Sequence, residues 1–206
     1  MKLFHAPGTC SLSPLIVGLE AGIDFERVRV DLGPTPHRID TGEDFTRINP
    51  NGYVPALQLD DGSVITEVVA IVEYLADLKP DSGLAPPAGS RQRVTLRSWL
   101  VFIATELHKS FSPWLFHPEV GEAAQAYARE RIGVRLAHVE RHLAVTDAFL
   151  VGERFTIADA YLFAIVGWSR FTGVDLAAYP ALRAWQDRVA QRPAVRAALR
   201  ENRPVA

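Results

Sequence analysis

The chain of 206 residues contains a single cysteine, Cys10. One cysteine excludes an intrachain disulfide framework and a zinc cluster built from cysteines. The formal net charge is only −2, so the sequence offers neither a basic nucleic-acid groove nor a polybasic membrane patch. No apolar run approaches the roughly 20 residues that a membrane span needs, and the first residues lack the apolar core of a signal peptide. We therefore expect a soluble, cytoplasmic protein without nucleic-acid or membrane partners.

The sequence is rich in apolar residues, and its first part alternates between strand and helix signals. Hydrophobic residues make up 48% of the chain, which is enough to bury a sizeable core. Short segments with apolar periodicity predict strands at residues 2–5 and 25–30. Between them, Ser11 or Ser13 can cap a helix, and Pro14 fits the first turn of that helix.

A second group of signals follows a polar connection. Asp61-Gly62 lies between two apolar segments and predicts a two-residue hairpin. Thr66 can then cap a helix that continues to Leu78. The order β-α-β followed by β-β-α predicts a four-stranded mixed sheet.

The second part of the chain contains only helix signals. We expect a domain at residues 1–80, a linker rich in Pro and Gly at 81–90, and an all-helical domain at 91–206. The predicted helices cover residues 91–111, 122–149 and 156–169, and two further ones begin at Pro180 and Pro193.

Cys10 lies between the first predicted strand and the first predicted helix. The positive end of a helix dipole and its unpaired backbone N–H groups favour an anion, so this position favours the thiolate. A lone cysteine is, however, usually a small buried hydrophobic residue. The residues alone leave both interpretations open.

Five stretches of the chain together resemble the glutathione transferases. They occur in the family's order: MKLF with PGTCSL at residues 1–12, NPNGYVPAL at 49–57, TEVVAI at 66–71, ATELHK at 104–109 and FTIAD at 155–159. The pair Cys10 and His108 is similar to the bacterial beta class. The resemblance implies an α/β plus all-α protein, in which a thioredoxin-like domain (βαβ-ββα) precedes a C-terminal helical bundle domain.

The resemblance also implies a site for glutathione, an anionic tripeptide with an extended backbone. Val54, held extended before Pro55, would pair its backbone with the cysteinyl part, as a strand added to a sheet edge. In the family this proline is cis. Glu67 would take the γ-glutamyl ammonium, and the N–H groups of Val68 and Val69 suit its α-carboxylate.

Three positions depart from the beta-class pattern, one of which is Val101, where relatives have an asparagine that contacts the partner subunit. The class usually has a lysine in the connection before the Asn-Pro step, and here His37 or Arg38 must serve instead. Family members often have Ser or Gly at position 68. Val68 offers no hydroxyl but keeps its amide.

The acceptor side of the expected site is apolar. Each of its candidate aromatic residues fits core packing on its own, but as a group they are expected to include two or three pocket residues: Phe111, Trp114, Phe116, Trp168 and Phe171. His108 is expected to donate a hydrogen bond to the reacting sulfur, with a buried core histidine as the alternative. His5 lies at the end of the first strand, where a general-acid role stands against an ordinary strand-end histidine. Thr9 and Ser11 could offer a hydroxyl to the glutathione sulfur.

Two further patterns favour structural roles. His138 and His142 are four residues apart with Glu140 between them, but the order is not that of a zinc protease and no third ligand is evident. A solvated helical face is the favoured interpretation. Thr156 and Asp159 have the spacing of a capping box and are expected to determine the fold.

The resemblance implies a homodimeric detoxification enzyme without a metal. Its reaction would be attack of the glutathione thiolate on an electrophilic, mostly apolar small molecule. One alternative is a glutathione-dependent thiol–disulfide reductase, because Cys10 to Ser13 form a C-x-x-S arrangement. Another is a non-catalytic ligand carrier or regulator on the same fold. The presence of Cys10, Glu67 and His108 argues against the carrier.

Overall fold

The computed structural model describes residues 1–146 and 148–202. Asp147 and residues 203–206, which the sequence assigned to the helical domain, lie outside the described residues. The chain divides into two compact units, one formed by Met1–Leu84 with the segment from Pro193, the other by Ala85–Arg192. None of the described helices is both long and apolar enough to cross a membrane.

The first unit is built on a five-stranded mixed sheet with the order β3-β2-β1-β4-β5. Its strands are β1 Lys2–His5, β2 Glu26–Asp31, β3 Arg38–Ile39, β4 Ala56–Gln58 and β5 Val64–Thr66. β1 pairs parallel with β2 and antiparallel with β4. The prediction of four strands was wrong by one: β3 pairs antiparallel with β2 and is only two residues long. Two residues are too few to show an alternating pattern.

Helices α1 Leu12–Glu20 and α2 Val68–Leu78 also belong to this unit. Thr66 ends β5, so Glu67 rather than Thr66 occupies the position before α2. The predicted hairpin at Asp61-Gly62 forms, but its loop has three residues, because Leu59 N–H donates to the carbonyl of Ser63. Gly62 takes a positive φ of 87°, as such a loop requires.

The core of the first unit includes one face of the sheet. Phe4 contacts Phe45 with a ring-centroid distance of 5.7 Å, and Val54 packs against the same cluster from the loop before β4. The last helix of the chain, Pro193–Glu201, packs on α1. The sequence placed this helix in the domain 91–206, whereas its contacts group it with the first unit. Sequence shows where a helix begins but not which unit its apolar face contacts.

The second unit contains helices throughout. They are α3 Arg91–Phe102, a π-helical segment Ile103–His108, α4 Lys109–Phe111, α5 Glu122–Thr146, α6 Ile157–Val166, α7 Ser169–Thr172 and α8 Pro180–Ala190, and the last helix of the chain is numbered α9. Pro180 and Pro193 begin helices, as predicted. The predicted helix from residue 156 ends at Val166, and Ser169 begins α7.

A buried carboxylate organises this unit. Asp159 accepts hydrogen bonds from the backbone N–H and hydroxyl of Thr156, which confirms the predicted capping box. It also accepts from the backbone of Leu150 and from Nε1 of Trp185. Burial raises the pKa of Asp159, while its four donors act in the opposite direction. Asp159 therefore fixes the start of α6 and links it to α8.

Candidate active site

Cys10 lies in the turn between β1 and α1 and is buried. The amides at the start of α1 are already paired: Leu12 N–H donates to the carbonyl of Thr9, and Ser13 N–H donates to that of Cys10. The expected unpaired amides are therefore not present at Leu12 and Ser13, because a hydrogen-bonded turn precedes the helix. The dipole of α1 remains as an electrostatic influence on the thiol.

The hydroxyl groups beside Cys10 serve the turn itself. Ser11 is fully buried; its Oγ accepts from Ala6 N–H at 3.1 Å and lies 2.7 Å from Oγ1 of Thr9. Thr9 Oγ1 donates to the carbonyl of Ala6. Ser11 occupies the predicted cap position, but its side chain makes no capping bond to α1. These contacts make Ser11 a poor candidate for a hydroxyl that meets a ligand.

The Val54–Pro55 step lies beside Cys10. Sγ of Cys10 is 3.5 Å from the carbonyl oxygen of Val54, although 44 residues separate them. The Val54–Pro55 bond is cis, as the resemblance implies. Asn49 supports this loop, because its Nδ2 donates to the carbonyl of Tyr53 at 2.7 Å. The first unit thus brings together two of the predicted site residues.

Glu67 has an unusual backbone conformation. Its φ is +68° and its ψ is 128°, and among the described residues it is the non-glycine residue with a positive φ. Such a conformation costs roughly 1–3 kcal/mol and is concentrated at functional sites. The side chain is exposed, whereas Val68, the first residue of α2, is buried. Sequence alone gave no sign of this strain.

His37 and Arg38 differ in what they contact. Nδ1 of His37 lies 2.9 Å from the carbonyl oxygen of Pro34. The His37 ring lies 3.9 Å from the position that a Cβ atom would occupy if residue 52 had a side chain. Arg38 instead donates from Nη1 to the carbonyl of Gly42 at 2.8 Å. Of the two residues, His37 therefore lies beside the loop that leads to Val54.

His5 is buried at the end of β1. Burial lowers its pKa, and Arg29, its neighbour on β2, acts in the same direction, followed by Arg27. Within residues 1–146 and 148–202, its Nδ1 has no hydrogen-bond partner. The ring is therefore neutral at pH 7, which does not suit a general acid.

His108 ends the π-helical segment. Its Nδ1 lies 2.7 Å from the hydroxyl oxygen of Tyr161, and its ring meets Trp168 edge to face at a centroid distance of 5.0 Å. Burial lowers the pKa of His108 to about 4, with a smaller contribution from Lys109. The imidazole is therefore neutral near pH 7. It can donate a hydrogen bond only from the ring nitrogen that carries the hydrogen.

The segment that carries His108 is anchored on α5. Glu106 accepts from Nε and Nη2 of Arg135 at 2.9 and 2.6 Å, and Arg131 lies 3.6 Å away. Sequence reasoning missed this pair and Tyr161, because their partners are 29 and 53 residues distant. A histidine followed far along the chain by a tyrosine is not a recognisable pattern.

The predicted acceptor residues differ in exposure. Phe111 is fully buried and packs against Trp168, so in this structure it cannot line an open pocket. Trp168 is also buried, with Phe116 against its edge at 5.1 Å. Trp114 and Phe116 are 43% and 42% exposed, and Phe171 is 74% exposed. Trp114, Phe116 and Phe171 therefore keep the surface that an apolar ligand would need.

The pair His138 and His142 is more than a solvated face. The ring of His138 stacks on Trp99 at 5.4 Å, and Nε2 of His142 lies 3.0 Å from the carbonyl oxygen of Leu150. Glu140 accepts from the first amides of α8. His138 and Glu140 therefore connect α5 to α3 and α8, and His142 connects α5 to the turn at Leu150. Among the described residues, no group of three or more His, Cys, Asp or Glu side chains is placed to hold a metal ion.

Both parts of the chain match family models. Residues 9–78 match the glutathione S-transferase N-terminal domain, and residues 102–193 match the C-terminal domain of the same family. The glutathione S-transferase GstA of Escherichia coli O157:H7 is 44% identical over 199 residues, which cover 97% of each chain.

Solved structures agree with these matches. A sphingomonad glutathione S-transferase complexed with glutathione shares 48% identity and a TM-score of 0.92 over 98% of both chains. A beta-class glutathione S-transferase of Sphingomonas chungbukensis shares 43% identity and a TM-score of 0.93 over 100% of both. With both domain models matched in order and relatives aligned over nearly their full length, the chain belongs to the glutathione S-transferase family.

Proposed function

We propose that this protein is a glutathione transferase that joins the thiolate of glutathione to electrophilic, mostly apolar small molecules. Family membership supports the reaction class. The observation that carries the proposal for this chain is the contact between Cys10 and Val54, 3.5 Å from sulfur to carbonyl oxygen. A peptide paired with the backbone of Val54 would bring its own cysteinyl group to the turn that contains Cys10.

Glutathione binding rests on three further residues of the first unit. Glu67 would pair with the γ-glutamyl ammonium, and the amide of Val68 at the start of α2 suits the α-carboxylate. An extended tripeptide centred on Val54 would then have its glycyl carboxylate on the opposite side, where the loop runs past His37. The position of the His37 ring beside Gly52 favours His37 over Arg38 for this role.

The chemical step depends more on position than on thiol acidity. Lowering a thiol pKa from roughly 8.5 to 7 raises its thiolate fraction at pH 7 about 16-fold. A Brønsted slope near 0.45 reduces intrinsic nucleophilicity about 5-fold, which leaves a net gain of about 3-fold. Positioning of sulfur and acceptor must supply most of the acceleration. We assign His108 the role of a neutral donor to the sulfur, and Trp114 and Phe116 that of acceptor-binding residues, with Trp168 packed against Phe116.

A second candidate function is glutathione-dependent thiol–disulfide exchange with Cys10 as the nucleophile. The observation that favours it is the place of Cys10 beside Val54, where the cysteinyl group of glutathione is proposed to lie. In that reaction, the Cys10 thiolate attacks a glutathione mixed disulfide, forms a new disulfide with glutathione and releases the other thiol. The thiolate of a second glutathione then attacks this disulfide, restores the Cys10 thiolate and leaves as glutathione disulfide.

Replacing Cys10 by alanine separates the two functions. If conjugation is the main activity, Cys10→Ala retains most of its turnover with a chlorinated nitroaromatic acceptor, because the reacting sulfur belongs to glutathione. The same variant should lose reduction of a glutathione mixed disulfide. A folded variant whose conjugation falls a thousandfold or more would make Cys10 the essential nucleophile and reverse the assignment.

We further propose that the protein forms a cytoplasmic homodimer through faces of α2 and α3. Apolar side chains on α3 support this, because Val94 and Val101 are seven residues apart and 62% and 54% exposed. On α2, Leu78 is 43% exposed. Sedimentation at micromolar concentration should give twice the chain mass of 22.7 kDa, and Val101→Glu should shift the protein toward monomer.

A further inference from the structure

The hydrogen bond between His108 and Tyr161 can be made in two ways. The Nδ1–Oη distance is 2.7 Å, and a hydroxyl can donate or accept. If Tyr161 donates, Nδ1 is an acceptor and the neutral ring carries its hydrogen on Nε2. If Nδ1 donates, Nε2 has only a lone pair. An anionic sulfur is attracted to the first form of the ring and repelled by the second.

Donation by Tyr161 is chemically favoured. A phenol is a more acidic donor than a neutral imidazole N–H, and an imidazole nitrogen is a stronger base than a phenol oxygen. The pair is also shielded from competing water, since Tyr161 is only 2% exposed. In such an environment a hydrogen bond is strengthened.

We propose that Tyr161 is a positioning residue that donates its hydroxyl hydrogen to Nδ1 of His108 and thereby keeps the hydrogen of the neutral ring on Nε2. The inference rests on the proposed function for the role of that Nε2–H, which is to donate to the glutathione sulfur. The hydrogen placed on one ring nitrogen is set by the bond that the other makes.

The surrounding structure limits the ways in which the ring could escape this bond. Trp168 packs edge to face against it at 5.0 Å, which restricts rotation of the imidazole. The π-helical segment that carries His108 is tied to α5 by the pair of Glu106 and Arg135. Ser110, two residues further on, donates to the backbone carbonyl of Glu106 at 2.6 Å.

Nitrogen chemical shifts test the tautomer directly. In a long-range ¹H–¹⁵N spectrum of the folded protein near pH 7, we expect the pattern of an Nε2–H ring for His108. The chain has six histidines, so the signal is assigned by its absence in His108→Gln. An Nδ1–H pattern in the unaltered protein would overturn the proposal, whether or not any variant folds.

Kinetics test the consequence. Tyr161→Phe should lower kcat/KM for conjugation about tenfold with little change in KM for glutathione, as for a weakened hydrogen bond to a charged group. The acid limb of the pH profile of kcat/KM should move to higher pH in this variant, because the bound thiolate loses its hydrogen-bond donor. Tyr179→Phe is the matched control: its hydroxyl donates to Gly133 in the same unit, so its loss should reduce stability alone.

A double-mutant cycle separates positioning from general damage. Glutamine places an amide donor near the position of Nε2 and has no tautomers, so in His108→Gln the further change Tyr161→Phe should cost less than about threefold. A full tenfold loss in both backgrounds would overturn the proposal. If the unaltered protein shows the Nε2–H ring but no conjugation, the proposed function fails while the tautomer assignment stands.

Discussion

The thiol of Cys10 and the carbonyl of Val54 are hydrogen-bond partners, with 3.5 Å between sulfur and oxygen. The same carbonyl is the proposed acceptor for the cysteinyl N–H of glutathione. In the proposed complex, Cys10 and glutathione would therefore compete for one oxygen atom. A thiol is a weak donor, so the ligand can displace it at small cost.

This competition predicts a difference between two substitutions. Cys10→Ser introduces a stronger donor to Val54 and should weaken glutathione binding by roughly 0.5–1.5 kcal/mol relative to Cys10→Ala, the size of a neutral hydrogen bond. Calorimetric titration of both variants with S-methylglutathione measures the difference without interference from thiol ionisation. Equal affinities would contradict a shared acceptor.

Two substitutions of Glu67 should have the same effect on glutathione binding but different effects on stability. Glu67→Ala and Glu67→Gly should both weaken glutathione binding by about 1.5–3 kcal/mol, because each removes a charged hydrogen-bond partner. Glycine, however, tolerates the positive φ of 68°. The glycine variant should therefore unfold at higher denaturant concentration than the alanine variant, by roughly 1 kcal/mol. An alanine variant of equal stability would mean that position 67 carries no strain.

In the first unit, local signals predicted the X-Pro step, the helix after the hairpin and four of the five strands. Cys10, Val54 and Glu67 were named as site residues through the family resemblance, and their roles stay predictions. The positive φ of Glu67 was not predicted, because no local pattern indicates it. Strand β3 was missed because its two residues are too few to show an alternating pattern. The packing of α9 on α1 was not predicted either, because it joins segments that lie far apart in the sequence.

In the second unit, sequence indicated helices and the cap at Asp159 but not how buried polar groups are paired. His108 could be named from a motif, whereas its partner Tyr161 lies 53 residues away. Phe111 shows the reverse error. An aromatic residue three positions after His108 fits a pocket as well as a core, and only the packing shows that it is buried.

His37 predicts a contribution to glutathione affinity that Arg38 does not make. Nδ1 of His37 lies 2.9 Å from the carbonyl oxygen of Pro34, which holds the ring beside the loop that contains Gly52. A ring held in this way can present Nε2 to the proposed glycyl carboxylate. His37→Ala should therefore weaken the binding of S-methylglutathione by roughly 0.5–1.5 kcal/mol, the size of one hydrogen bond.

Two variants control this prediction. His37→Lys restores a donor for the carboxylate and should recover affinity, whereas Arg38→Gln should bind as the unaltered protein does, because Arg38 donates to Gly42 instead. Calorimetric titration with S-methylglutathione compares the three variants. Equal affinities of His37→Ala and the unaltered protein would exclude His37 from the site.

His108 predicts that the fold loses stability in acid. Its pKa is lowered by burial to about 4 in the folded protein, against 6.5 for an ordinary histidine. Between these values the unfolded chain binds more protons, so the free energy of unfolding falls as pH decreases through this window. The full difference corresponds to about 3 kcal/mol.

Denaturant unfolding at about pH 7 and pH 4 should show a steep loss of unfolding free energy in the unaltered protein and a shallower loss in His108→Gln. Some dependence of stability on pH should remain in His108→Gln, because burial also lowers the pKa of His5. An identical pH dependence in both proteins would mean that His108 is not buried as a neutral ring.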